Sequence, residues 1–467
     1  MASAAEQLAA NLNLGAFAKA EELKRRIWFT LGALLVYRFG TFIPLPGIDS
    51  VAFSQTFNNN AAGILGMFNM FSGGAVERMA IFALNIMPYI SASIIIQLLS
   101  SVDKRLMELK KEGEQGRKQI NQYTRYLTVL LATAQAYGIA IGLEATQAQA
   151  GPVVPDPGWF FRLSTVITLV GGTMFLMWLG EQITARGVGN GISLIIFAGI
   201  VAALPNAIMQ LFETSRQGNL SAFALIFLLV MMIAAVVVIV FMERAQRRLL
   251  VQYPKRQVGN RMFQGDSSHL PLKLNTAGVI PPIFASSLLL LPITAASFSA
   301  GSAGAAAPEW VTYITAALGY GQPLHMFFYV VLIIFFCFFY TAVVFNPQDT
   351  ADNLRKHGGF LPGRRPGAQT AKYIDYVLTR ITVVGSLYLA TVCLLPEVLI
   401  SNLGIPSSFG AVLGGTSLLI AVSVTMDTVA QVQSHLMAHQ YEGLIKKAKL
   451  SRGASPKLSK GSSRGRK

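Results

Sequence analysis

Charge is scarce in this sequence, and what there is leans to one sign. Only 13% of the residues are Asp, Glu, Lys or Arg, against 53% hydrophobic, and 38 Lys and Arg face 22 Asp and Glu, a net charge of +16. So little charge cannot cover a soluble domain of this size. Cysteine is nearly absent. Cys337 and Cys393 both fall in apolar runs, which leaves no disulfide framework and no thiolate metal set. The five histidines show no ligand spacing; His435 and His439 stand four apart, but two histidines without a third ligand make a weak metal site. P-loop, GxSxG and HExxH motifs are missing. So is a pair of carboxylates inside an apolar run that would act as a catalytic dyad. The sequence therefore offers no enzyme chemistry and calls for no cofactor.

What is abundant is apolar length. Stretches at 27–42, 79–99, 126–143, 161–183, 192–212, 223–242, 277–296, 326–345, 381–395 and 410–430 are dominated by Leu, Ile, Val, Phe, Ala and Gly. About 20 such residues cross the roughly 30 Å hydrocarbon core as a helix. Backbone polar groups in lipid must pair within the chain, and long uninterrupted segments argue against a barrel. The fold class predicted is all-α: a polytopic membrane protein with ten transmembrane helices. The first stretch follows basic residues, as in a signal peptide. Its apolar run is too long and lacks a small-x-small site, so it is read as a retained span.

The basic residues sit in alternate gaps. The gaps 43–77, 144–160, 213–222, 297–325 and 396–409 contain Arg216 as their single Lys or Arg. The other side carries Lys24, Arg25 and Arg26 before the first stretch, Lys104 to Lys118 after the second, Arg244 to Lys273 after the sixth and Arg355 to Lys372 after the eighth. The Lys- and Arg-rich tail lies on that side too. The positive-inside rule places both termini in the cytoplasm. The positive charge has two readings at this point: topology plus attraction to membrane lipids, or docking of a partner with RNA or acidic surfaces. Inside the spans, ionisable residues are confined to the ends, which argues against a proton- or sodium-coupled transporter.

Three segments resist a simple spanning reading. Residues 58–75 are apolar but too short to cross, and Gly73 and Gly74 separate them from the second span; a re-entrant element fits. Residues 244–276 are long and basic, with an alternation around 251–262 compatible with a hairpin. Residues 346–372 contain GGFLPGRRPG, a density of Gly and Pro that builds a protruding turn-rich loop rather than a helix. Cytoplasmic loops of this length point to function.

At these residues the chain resembles the SecY family, the central subunit of the bacterial Sec protein-conducting channel. The resemblance covers about 23–449 and rests on long strings: FIPLPGID at 42–49, MFNMFSGG at 67–74, IMPYISASI at 86–94, GEQIT at 180–184 with GNGIS at 189–193, AGVIP at 277–281, FNP at 345–347, PGRRPG at 362–367 and GGTSLLI at 414–420. It implies two inverted five-helix halves around a central pore, residues 27–212 and 213–435. A cytoplasmic segment, 1–26, precedes them and a basic tail, 436–467, follows. Five spans per half is an odd number, so the second half enters from the opposite side, as inverted repeats require.

The resemblance also implies roles. An apolar ring at the pore waist maps to Ile86, Ile90, Ile192, Ile196, Ile283 and Ile420. The re-entrant element maps to the plug, with Met67, Phe68, Asn69, Met70, Phe71, Ser72, Gly73 and Gly74 at its core and the two glycines as its hinge. Gln97 and Asn275 take the polar positions of the lateral gate, between the second and seventh spans; neither is acidic, so no pH-dependent gate is expected. Lys255, Arg256, Arg364 and Arg365 lie on the docking surface for the ribosome and the SecA motor ATPase, with Arg365 the first candidate for the critical loop arginine. Small SecE-like and SecG-like membrane subunits, signal sequences and nascent polypeptides are the further implied partners, and the bacterial plasma membrane the implied location. A secondary transporter with inverted repeats is the competing class. It would need polar or ionisable ligands at the midplane.

Overall fold

The computed structural model describes residues 21–60, 69, 72–145, 147–148, 151–218, 221–253, 256–258, 261–263, 267–289, 313, 317, 322–403 and 414–453. In the N-terminal half, α1 (Glu21–Gly40), α2 (Ser50–Asn60), α3 (Met87–Val102), α4 (Lys104–Lys111) and α5 (Glu114–Ala145) come first. A two-residue ribbon, β1 (Gln147–Ala148) and β2 (Gly151–Pro152), leads to α6 (Trp159–Arg186) and α7 (Gly191–Arg216). The C-terminal half opens with α8 (Ala222–Arg244), then β3 (Gln246–Gln252), β4 (Arg256–Val258), β5 (Arg261–Phe263) and β6 (Ser267–Lys273). The short apolar helix α9 (Ile280–Leu289) follows. It is succeeded by α10 (Pro323–Val344), α11 (Pro347–Lys356), α12 (Ala368–Leu403) and α13 (Gly415–Gly453).

A helix occupies each of the ten apolar stretches. Among the described residues, seven are long and apolar enough to cross a membrane, and α3 and α9 are shorter apolar helices. Large apolar side chains such as Phe160, Phe223, Phe241 and Leu387 face outward, as lipid contact requires and water would not permit.

The second span departs from expectation. The apolar run starts at 79, but the helix starts at Met87, with Pro88 in its first turn. Residues 72–86 run as turns and bridges, with positive φ at Gly73, Gly74, Met79 and Asn85. Proline suits a helix start because its missing N–H is unpaired there anyway. The irregular stretch finds its partners elsewhere: Leu45 N donates to Met79 O, and Ile81 N to Ile43 O, at 2.9 and 3.0 Å. Several other helices overrun their apolar windows. α5 begins at Glu114 and α12 at Ala368, because polar residues do not end a helix as Gly and Pro do.

α5 packs on α3 and α6, and α6 on α7 and α1; α10 packs on α12, and α13 on α8 and α12. The halves meet where α13 lies against α7 and α1. One core runs across that junction, with Tyr37, Ile86, Ile90, Ile195 and Ile196 from the first half and Phe284, Ile333, Phe336, Leu389 and Ile420 from the second. Polar side-chain pairs tie helix ends within each half. Glu144 accepts from Arg162 at 2.7 Å and from Gly158 N at 3.1 Å, joining α5 to α6. Arg125 and Glu181 pair at 2.7 Å near the opposite ends of the same helices. His325 and Glu397, both buried, meet at 2.9 Å between α10 and α12. That contact joins residues 72 positions apart, and no local spacing signals it.

The α6–α7 connection is tight. Gly189 has φ +86, Asn190 caps α7 by accepting from Ile192 N, and Gly191 N donates to Thr184 Oγ1. A Cβ on Gly191 would lie 2.0 Å from Gly180 O, so only glycine lets the backbones approach this closely. Gly191→Ala should therefore destabilise the purified protein by about 1–3 kcal/mol, the usual cost of overpacking. Gly142→Ala, a helical position with open space around its Cβ, should be neutral or stabilising by up to about 1 kcal/mol. Thermal unfolding in detergent compares the two.

Candidate functional site

Four helices from both halves converge on one small cavity. Its lining is Asn85, Ile86, Met87, Ile90, Ile196, Ile283, Ser286 and Ile420, and its volume is about 10 Å³, scarcely room for one water. Ile86 precedes the first turn of α3, and Ile90 lies one turn on. Ile196 comes from α7, Ile283 and Ser286 from α9 and Ile420 from α13. Five of the six isoleucines expected at a ring thus surround a single void. The sixth, Ile192, sits a turn before Ile196, half-buried against the same core but outside the cavity lining. No charged side chain enters the lining. Such a wall neither solvates an ion nor offers a fixed bond to anything in the void. Asn85, Met87 and Ser286 were not anticipated. Asn85 and Met87 adjoin Ile86 in sequence, and Ser286 lies about one helical turn beyond Ile283.

Of the plug residues, Met67, Phe68, Met70 and Phe71 lie outside the described residues. The remaining four form a fastened root. Gly74 N donates to Asn69 O at 2.8 Å, Glu77 N to Asn69 Oδ1 at 2.9 Å and Val76 N to Ser72 Oγ at 3.3 Å. Two side chains of α1 hold it from outside. Tyr37 Oη donates to Ser72 O at 3.2 Å, and the Arg38 guanidinium donates to Gly73 O. Arg38 and Arg78 both stand over the Phe42 ring, at 4.9 and 4.2 Å. Gly73 and Gly74 have φ of +66 and +85, the left-handed region that glycine enters without strain. A Cβ on Gly73 would also meet Gly199 Cα at 3.1 Å. The sequence reading did not single out Tyr37 and Arg38, because their partners are backbone carbonyls 35 residues away.

The two gate positions make separate contacts. Gln97 Nε2 reaches Ser93 Oγ on its own helix at 3.5 Å, and no hydrogen bond joins it to Asn275. Asn275, almost fully buried, donates through Nδ2 to Glu243 Oε1 at 2.6 Å and to Gly278 O at 3.1 Å. A carboxylate does reach this position, contrary to the expectation from the gate residues alone. It arrives from the last turn of α8.

The two long basic loops, 244–276 and 346–372, form one folded body. β3 and β6 pair antiparallel from Gln246↔Lys273 to Gln252↔Ser267, and β4 and β5 extend the hairpin at Arg256↔Phe263. The strands start earlier than the alternation suggested. Part of the second loop is helical: α11 starts after Asn346, whose side chain accepts from Gln348 N, with Pro347 in its first turn. Both are strong helix-start signals. The turn-rich stretch begins after it. There Phe360 and Gln252 exchange backbone hydrogen bonds, each 2.9 Å, linking loop to hairpin. Leu249, Leu272, Leu361, Ile374, Val377 and Ile381 fill the space between. Lys255 lies outside the described residues, and for Arg256 only the backbone is described. Arg364 stacks on Tyr373 at 4.7 Å. Arg365 is exposed; its carbonyl accepts from Thr370 Oγ1 at 2.9 Å, and among the described residues its guanidinium has no partner.

Known proteins share this architecture. A family model described as SecY matches residues 80–429. The protein translocase subunit SecY of Rickettsia conorii is 57% identical over 429 residues, 92% of this chain and 97% of the relative. Its counterpart in Escherichia coli (strain K12) is 56% identical over 429 residues, 92% of this chain and 95% of the relative. Among solved structures, one described as a protein conducting channel superposes with a TM-score of 0.62 at 16% identity, over 88% of this chain and 92% of that one. Sec61 from a canine ribosome-channel complex of the endoplasmic reticulum gives 0.58 at 16% identity, over 88% and 92%. At that identity the structural likeness bears on the fold. With the family model and the close relatives spanning most of its length, the chain belongs to the SecY family.

Proposed function

We propose that this protein is the channel subunit of a Sec translocase, passing unfolded polypeptides across a bacterial plasma membrane and releasing apolar segments sideways into lipid. The observation that carries the reading is the convergence of Ile86, Ile90, Ile196, Ile283 and Ile420, from both halves, on one uncharged constriction. Branched aliphatic side chains exclude water and ions while the void is narrow. They yield to a passing chain because they hold it by no specific bond. The halves are residues 27–212 and 213–435, and both termini face the cytoplasm. A secondary transporter would place polar or ionisable ligands at such a midplane site, and the cavity offers Asn85 and Ser286 alone.

In this reading residues 58–75 are the plug, resting on Tyr37 and Arg38. Gln97 and Asn275 mark the two sides of the lateral gate, which signal sequences part. The joined loops 244–276 and 346–372 form the platform for the ribosome and for SecA, and SecE-like and SecG-like subunits brace the helices from the side. The sequence carries no P-loop motif, and in this reading the driving energy is supplied by these partners. Arg365 is the stronger docking candidate because its guanidinium has no partner among the described residues, whereas Arg364 is engaged with Tyr373.

Three outcomes are expected. A photoreactive residue at Ile283 should crosslink to a secretory chain stalled in transit; a channel that yields no such adduct does not route polypeptide through this cavity. Removing 60–74 should raise ion leak through the resting channel in vesicles, and Arg38→Ala should raise it to a lesser degree. Arg365→Glu should weaken docking of SecA by about 2 kcal/mol, roughly thirtyfold in affinity, with Arg364→Glu costing less; equilibrium binding to the reconstituted complex measures both.

A further inference from the structure

The root of α9 is fastened by more than its own turn. The hairpin delivers the chain from β6 to Leu274, whose N–H donates to Ala245 O at 2.9 Å. One residue on, Asn275 Nδ2 donates to Glu243 Oε1 at 2.6 Å. Asn275 Oδ1 then accepts from Gly278 N at 3.1 Å, closing a turn that needs the positive φ of Gly278, +65. α9 starts two residues later, and its Ile283 and Ser286 line the constriction. α12 presses on the same point: a Cβ on Gly385 would lie 2.9 Å from Leu274 O. Lys273, Asp427 of α13 and Tyr388 of α12 all lie within electrostatic reach of Glu243. The last turn of α8, the end of the hairpin and the turn into α9 therefore share one polar joint, and among the described residues Glu243 is the acidic group hydrogen-bonded in it.

We infer that Glu243 is a positioning residue for the moving helix of the channel: its hydrogen bond to Asn275 holds α9 in the closed arrangement, and its loss frees α9 to swing away from α3. The inference rests on the channel reading. Geometry makes Glu243 suited to the task. It stands on α8, a helix whose apolar length faces outward, so it provides a fixed post outside the part that moves. Asn275 lies in the turn that leads into α9, five residues before the helix begins, where a small release becomes a larger displacement at Ile283. The bond is also breakable. A polar contact in a membrane interior is worth only about a three- to tenfold bias between two states, which a signal helix entering lipid can overcome.

The test uses the full complex in vesicles, with two readouts: resting ion leak, and transport of a precursor whose signal sequence has been weakened. Glu243→Ala should raise both about three- to tenfold, while transport of a precursor with a strong signal is retained. Glu243→Gln should stay close to wild type, because its amide oxygen accepts the same bond. Asn275→Asp should behave like Glu243→Ala, since two carboxylates then oppose each other. Glu243→Gln combined with Asn275→Asp should restore the wild-type level, because a Gln amide donates to the new carboxylate. Leak and weak-signal transport unchanged in Glu243→Ala would overturn the inference. If Glu243→Ala does not accumulate, failure of the double variant to rescue Asn275→Asp would overturn it equally. If the wild-type complex transports no polypeptide, the channel reading itself falls, and that outcome is separate from either result.

Discussion

The backbone between Ser72 and Ile86 crosses the interior without forming a helix, and its amide and carbonyl groups must find partners away from water. In hydrocarbon each unpaired group costs several kcal/mol, so irregular backbone at depth survives only when enclosed by protein. Here the enclosure is specific. Ile43 and Leu45 exchange backbone bonds with Ile81 and Met79. The Tyr37 hydroxyl and the Arg38 guanidinium cap the carbonyls of Ser72 and Gly73. Gly172 of α6 leaves room for the Ile81 carbonyl, which a Cβ would meet at 2.2 Å. Because this stretch is held, α3 starts at a defined place and sets Ile86 and Ile90 at the constriction.

The same economy governs the rest of the interior. Polar contacts sit at helix ends and in joints, and apolar side chains occupy the centre. Arg162–Glu144, Arg125–Glu181 and His325–Glu397 each lock two helices of one half. Where α13 lies against α7, the deep contacts are apolar, with Ile195, Ile196, Leu419 and Ile420 in one core. At helix ends polar bonds cross between the halves, Gly189 N to Gln431 Oε1 at 2.8 Å and Lys110 Nζ to Val343 O at 3.3 Å. A yielding apolar seam suits a pore that must admit bulky and varied chains, since packed apolar surfaces separate without leaving buried charges unpaired.

Much of this was legible in the residues, for identifiable reasons. Apolar length predicts where helices lie, and each stretch holds one. The start of α3 at Met87 was not read, although Pro88 marks it; the apolar run simply continues upstream through Met79 and Phe82. Periodicity does not pick out the ring, because an isoleucine in a span looks the same whether it faces lipid, core or void. Only the resemblance to a family placed Ile86 and Ile420 together. The hairpin left its alternation in the sequence, but its pairing with Phe360 joins segments more than a hundred residues apart. Glu243 falls between the sixth apolar stretch and the basic loop, and nothing in the sequence singles it out. Its bond to Asn275 spans 32 residues and passes through a hairpin, so no local pattern carries it.

In the proposed channel the isoleucine constriction is both the seal and the path. Ion conductance of the complex with a polypeptide held in transit tests it most directly. Wild type should remain tight around the chain. Asn at Ile86, Ile196 and Ile420 should make the occupied channel leak, while Asn at the outward-facing Ile167, Ile226 and Ile233 should not. Equal conductance for the two sets would contradict the account.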